Sequence, residues 1–161
     1  CLHSLRPSLT CGDACMVTKE LAQHCYNHYK LDHNGHHGWN HWMRVLNAGL
    51  ILAEHEGANP NIVKLFAILH DVERNDEYRD EEHGLRAAFH AEDLRGKMFD
   101  ISSRDMGVLK EAMIYHSDGY TDHDDITVKV CWDADRLDLS RVGITPNPKK
   151  MCTATAKSFT M

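Results

Sequence analysis

The run NPNIVKLFAILHDVE, residues 59–73, decides the fold class. Asn59 is a good helix N-cap, and Pro60 suits the first helical position, where its missing N–H costs nothing. From Ile62 to Leu69 the residues are apolar nearly all round, which predicts a helix surrounded by others. It closes on His70-Asp71, an ionisable pair in the most apolar setting of the chain. Ionisable groups are rarely buried unless paired or bound to metal. A divalent cation is an economical partner, since imidazole and carboxylate together suit Mn, Fe, Co, Ni or Zn. Adjacent helical residues point roughly 100° apart, so the pair cannot share one face. The two could still flank an ion near the helix end, with other helices supplying the remaining ligands.

Working outward, Met16–Lys30 predicts a helix with Leu21 and Cys25 on one face. LDHNGHHGWN, 31–40, has loop composition. HWMRVLNAGLILAEHE, 41–56, repeats its apolar residues at helical spacing, and Gly57 is placed to stop it. Downstream, 74–80 is a polar loop. Asp80 is placed to cap a helix through EEHGLRAAFHAEDLR that Gly96 ends. Ser102 or Ser103 caps the next helix, which reaches His116, and 117–125 is another loop. Ile126–Val142 predicts a last long helix stopped by Gly143, after which Pro146 and Pro148 break the chain. No segment alternates with period two, and no repeat is visible. The expectation is an all-α, single compact bundle of five or six helices over residues 16–161. Residues 1–15 are expected to be a leader or boundary segment, with Met16 as a plausible natural start.

Composition narrows the function classes. Of 161 residues, 42% are apolar and 26% charged, which suits a globular chain of one domain. The net charge is −6 and no basic block exists, so no nucleic-acid polymer is expected as partner. The apolar runs are far short of 18 residues, so no membrane-spanning helix is expected. Six cysteines occur without a dense framework or a secretory apolar segment, which predicts reduced thiols and a cytoplasmic protein. The unusual figure is 13 histidines.

On this map His41 opens a helix, His83 lies in the first turn of another, His116 ends a third, and Asp133 sits in the last. The order His41, His70-Asp71, Asp133 resembles the HD-domain superfamily of metal-dependent phosphohydrolases. The contexts HWMRVLNAG, LFAILHD and CWDADRLDLSRVGI strengthen the likeness, which spans about residues 36–144. The resemblance implies an all-helical bundle in which His41, His70, Asp71 and Asp133 hold a divalent transition metal. His83 and His116 match the positions of two histidines that many two-metal members use, and with Asp71 bridging they would hold a second ion. VERND stands where those members usually carry another His, which leaves one ion or two open. With one ion, His83 and His116 would touch the substrate phosphate or protonate the leaving group. In the last helix Asp133 lies beside Ile126 and Leu137, and Asp135 beside Val128 and Val142. Both edges are apolar, so periodicity does not choose, and only the resemblance selects Asp133. Asp135 and Asp138 are alternatively partners for Arg136 or Arg141.

The expected chemistry is hydrolysis of a phosphate ester of a small metabolite, a nucleotide among the candidates, by metal-activated water, with Asp71, His83 and His116 as the catalytic set. Arg44, Arg74 and Arg86 are the candidate phosphate-binding cations. Loops 31–40, 74–82 and 117–125 are expected to rim the pocket. Two other readings remain: a di-iron oxygenase of the same ligand set, and a non-catalytic metal- or nucleotide-binding module. His36 and His37 are read as loop residues, and His55, His90 and His123 as surface. Cys11, Cys15, His24 and His28 have a zinc-like order, but eight residues between the pairs is short for a finger. Oligomeric state has no signal in the sequence.

Overall fold

The computed structural model describes residues 17–161. The expected leader, Met16, Cys11 and Cys15 lie outside these residues. Seven α-helices follow in order: α1 Lys19–His28, α2 Trp39–Glu56, α3 Pro60–Leu69, α4 His83–Leu94, α5 Ser103–Tyr115, α6 Ile126–Leu137 and α7 Ala154–Phe159. No β-strand occurs among the described residues; the one strand-like contact is an isolated bridge between Arg95 and Phe99. The all-α expectation holds.

The central helix is the expected one. In α3, Ile62, Val63 and every residue from Leu65 to Leu69 are buried. Its start is as read: the Asn59 side chain accepts from Asn61 N–H, and Pro60 is the first helical residue. Around it pack α2, α5 and α6, with α1 on a further side and α4 laid against α5. Burying an apolar face on several partners at once supplies most of the stability of helices this short. The two largest buried side chains also fix the site. Trp42 donates its indole N–H to His37 O at 2.7 Å, and Trp132 donates to Ala112 O at 3.0 Å. These bonds tie α2 to the loop before it and α6 to α5, and pair the indole donors of these two buried rings.

Helix ends differ from the sequence reading where tertiary contacts intervene. Gly57 terminates α2 at φ 73°, as placed. The stretch expected as one helix to Val142 instead ends its α-helical part at Leu137 and tightens to a 3-10 turn over Asp138–Val142, closed by Gly143. That rewinding goes with the ties of Asp138 to His41 and Arg44, and of Arg141 to His36 O. Asp80 does not cap α4, which begins at His83. Its carboxylate takes Asn75 N–H and Arg86, and its carbonyl takes the His83 ring. The chain after Gly143 returns across the molecule through a 3-10 turn at Pro148–Lys150 to α7, which sequence periodicity is too short to reveal. No helix among the described residues is long and apolar enough to cross a membrane.

Candidate metal centre

Four imidazoles converge where α2, α3, α4 and α5 meet. His41 and His70 are fully buried, and His83 and His116 are nearly so. His70 is the C-cap of α3, so Asp71 falls in the turn that follows, and the pair reaches one point from two directions, with His70 Nε2 3.2 Å from Asp71 Oδ2. The approach of α4 to α5 depends on Gly84: a Cβ there would stand 2.2 Å from Met113 O.

Each imidazole has a partner that fixes its tautomer. His70 Nδ1 donates to Phe66 O at 2.9 Å, His116 Nδ1 to Met113 O at 2.6 Å, and His83 Nδ1 to Asp80 O. Carbonyl oxygens only accept, so these nitrogens carry hydrogen. His41 Nδ1 donates to Asp138 Oδ2 at 2.7 Å, and Arg44 Nε holds the other oxygen of Asp138 at 2.7 Å. All four Nε2 atoms are thereby turned inward as ligand atoms, the arrangement that carboxylates and carbonyls behind metal-binding histidines enforce.

What they face is again an acceptor. Asp71 Oδ2 lies 3.4 Å from His41 Nε2 and 3.2 Å from His70 Nε2. Asp71 Oδ1 lies 3.2 Å from His83 Nε2 and 3.5 Å from His116 Nε2. Asp135 Oδ1 completes the first pair, 3.1 Å from His41 Nε2. Asp71 Oδ1 and Asp135 Oδ1 are buried and accept no well-formed hydrogen bond. Buried carboxylate oxygens left so are costly unless a cation answers them. The ligand atoms form two sets, His41, His70, Asp71 and Asp135, and Asp71, His83 and His116, each within 4.8 Å of one another. Asp71 belongs to both, one oxygen to each. The donor set therefore fits one divalent ion, and a second with Asp71 as bridge.

The electrostatics agree. Burial alone would lower the histidine pKa values, yet Asp135, Asp138 and Asp71 raise His41 to about 10, and Asp71 and Asp135 raise His70 to about 9. Burial pushes Asp71 and Asp135 up, but the histidines beside them hold both carboxyls well below their ordinary value. A cluster that draws protons this strongly draws a metal cation for the same reason.

No family model matches the sequence, and no curated protein is detectably similar to it in sequence. A crystal structure does match: a predicted HD superfamily hydrolase from an uncultured Thermotogales bacterium. Its chain is 24% identical, with a TM-score of 0.69 over 90% of this chain and 83% of that one. The fold is the HD-domain fold. His41, His70 and Asp71 lie together in the buried cluster described above.

The carboxylate from the last helix of this HD-domain fold is a correction. The resemblance selected Asp133, but Asp133 is fully buried on another side of α6. It accepts from Cys152 N–H at 2.7 Å and from Thr153 N–H and hydroxyl at 2.8 Å. Asp135, two residues on, faces the histidines. Two of the three candidate phosphate-binding arginines are also displaced. Arg44 is committed to Asp138, and Arg86 to Glu73 O and the Asp80 carboxylate. Neither lines the cavity above the centre, whereas Arg74 does, its Nη1 3.2 Å from both ring nitrogens of His83.

That cavity measures about 570 Å³, with Asp71, His83, His116 and Asp135 in its wall. Loops 31–40 and 117–125 contribute His37, Ser117 and Gly119, as expected, and loop 74–82 contributes Arg74. The larger share comes from the stretch between residues 136 and 151, which brings Arg136, Arg141 and Lys150. None of the three was expected at the cavity. Arg136 Nη2 is buried and has no hydrogen-bond partner. Arg141 is braced by Nε to His36 O at 2.7 Å and Nη1 to Asp138 O at 2.8 Å. Burial holds the His37 pKa down at about 4, against Asp71 and with help from Arg74 and Arg141, so this ring is neutral near pH 7.

Proposed function

We propose that the chain is a metal-dependent phosphohydrolase that hydrolyses a phosphate ester of a small metabolite, a nucleotide among the candidates. One observation carries the reading: a cluster of imidazole and carboxylate acceptors opens into a cavity whose wall also holds Arg74, Arg136, Arg141 and Lys150. The volume, about 570 Å³, is in the range of small-molecule sites. Acceptors and fixed cations in the wall of one cavity suit a ligand that is anionic and meets a metal.

His41, His70, Asp71 and Asp135 would hold one ion, and Asp71, His83 and His116 a second. Such ions lower the pKa of coordinated water toward ~7 and offset charge on phosphoryl oxygens. The chain's own groups do the rest. Arg136, held through Nη1 by Lys150 O, sets a positive charge in the cavity wall that favours a phosphoryl group. Arg141 and Arg74 are held in place by their other contacts, so neither needs to reorganise as negative charge grows. Neutral His37 offers a hydrogen bond at the wall without adding charge. A cytoplasmic setting agrees with the free thiols of Cys25, Cys131 and Cys152.

The test is metal analysis of the purified chain followed by phosphate release from a panel of phosphorylated metabolites, run with the metal found. Release that Asp71→Ala abolishes, together with its metal, supports the proposal. A metal-replete protein inert across the panel overturns it. Iron-specific oxygen uptake with an organic substrate would instead assign the two ligand sets to oxidative chemistry.

A further inference from the structure

A second group of histidines lies apart from the cluster just described. His24 and His28 are one turn apart on α1 and share a face. His90, from α4, closes a triangle with them: its ring centroid is 4.3 Å from that of His28 and 5.1 Å from that of His24, and those of His24 and His28 are 5.5 Å apart. His24 Nε2 and His90 Nε2 are 3.0 Å apart. One ring nitrogen of each of the three lies within 4.8 Å of the others, and all three side chains are half-buried. Glu73 stands beside them, in contact with His28 Nε2 and 3.3 Å from His90 Nδ1.

Stacked imidazoles with ring nitrogens facing each other make poor neighbours once protonated, and the three have a single carboxylate beside them, in contact with His28 and His90 only. A divalent cation resolves the arrangement. Glu73 takes the Nδ1–H of His90 and turns Nε2 toward His24, as carboxylates do behind metal-bound imidazoles. Three imidazole nitrogens suit a borderline ion such as Zn2+, which accepts three protein ligands and a water in tetrahedral array.

We propose that His24, His28 and His90 form a separate Zn2+-class cation site, backed by Glu73, that pins α1 to α4. Its consequence is structural and reaches the main cluster, since Glu73 lies two residues after Asp71 and Arg86 of α4 holds its backbone carbonyl. The site links elements distant in sequence, so the bound ion stabilises the bundle by mass action.

Equilibrium dialysis of the full chain with Zn2+ alone tests the proposal. In an Asp71→Ala background, one equivalent of Zn2+ is expected to remain bound and to raise the melting temperature. Adding His24→Ala and His90→Ala should remove both effects, whereas adding Cys11→Ser and Cys15→Ser should leave them. The same loss of one equivalent in His28→Ala or His90→Ala alone, with unchanged circular dichroism, gives the readout if the Asp71 background folds poorly. Co2+ in the site should show the intense visible absorption of tetrahedral coordination. Zn2+ stoichiometry unaffected by the histidine changes, or dependent on Cys11 and Cys15, overturns the assignment, leaving these rings as a hydrogen-bonded stack.

Discussion

Asp133 and Asp135 sit two residues apart on α6, and their carboxylates serve different parts of the fold. Asp133 accepts the backbone N–H groups of Cys152 at 2.7 Å and Thr153 at 2.8 Å, while Asp135 Oδ1 lies 3.1 Å from His41 Nε2. Positions two apart on a helix diverge by roughly 200°. Asp135→Asn is therefore expected to lower bound metal with the fold retained. Asp133→Asn sets an amide nitrogen against N–H donors, and should cost on the order of 3 kcal/mol of stability while leaving metal per folded molecule unchanged. Metal analysis beside denaturant titration separates the two, and metal loss in Asp133→Asn with Asp135→Asn silent would reverse the assignment.

Asp138 acts through His41. Its Oδ2 holds His41 Nδ1 while Arg44 holds its Oδ1. Asp138→Asn is expected to weaken metal binding roughly 10–100-fold, the usual effect of losing such a partner. Arg44→Ala should have a smaller effect, because the Arg44 side chain is about half exposed (49%) and its ion pair is screened. Competition against a chelator reads both. Equal affinity in Asp138→Asn would show that packing alone orients the ring.

Gly84 sets the spacing between His83 and His116. A Cβ added there meets Met113 O at 2.2 Å, the same carbonyl that takes His116 Nδ1–H. Helix propensity favours alanine over glycine, so a gain would follow if only propensity mattered. The clash wins: Gly84→Ala should destabilise by about 1–3 kcal/mol and loosen the His83–His116 pair. A raised melting temperature would contradict this.

The last helix is tied on by a carboxylate with a pH signature. Glu56, at the end of α2, accepts the hydroxyl and backbone N–H of Thr155 in α7. These bonds lower its pKa from the ordinary value. A carboxyl depressed in the folded state stabilises the protein above its unfolded pKa, and that contribution fades as pH falls through the folded pKa. The wild type should be more stable than Glu56→Gln at pH 6, and the gap should shrink as pH drops below the ordinary glutamate range of ~4.3. Chemical denaturation at several pH values checks it; a gap that widens in acid refutes it.

Much of the bundle is legible in the chain. The apolar run of α3, the Asn59-Pro60 start and the Gly57 stop are local signals, and each reappears in place. His70-Asp71 was legible from its costly apolar setting, whereas His41, His83 and His116 were picked out only by the resemblance to a known family; all five meet in the buried cluster. Asp135 was not. Both edges of α6 are apolar, since one packs on the central helices and the other under the returning segment at 151–153. Arg136, Arg141 and Lys150 gave no signal as cavity residues, because polar residues after a helix read alike whether they face solvent or a pocket. His90 looked like surface for a related reason: its partners His24 and His28 lie more than sixty residues away in the chain.

The order and most termini of the first six helices thus follow from local patterning, since hydrogen bonding and apolar period act within a few residues, whereas the short α7 does not. Which carboxylate faces the histidines, which arginines line the cavity and which histidines gather on α1 and α4 depend on how helices cross and where the chain returns. Those contacts join residues far apart in sequence, and side-chain periodicity carries no information about them.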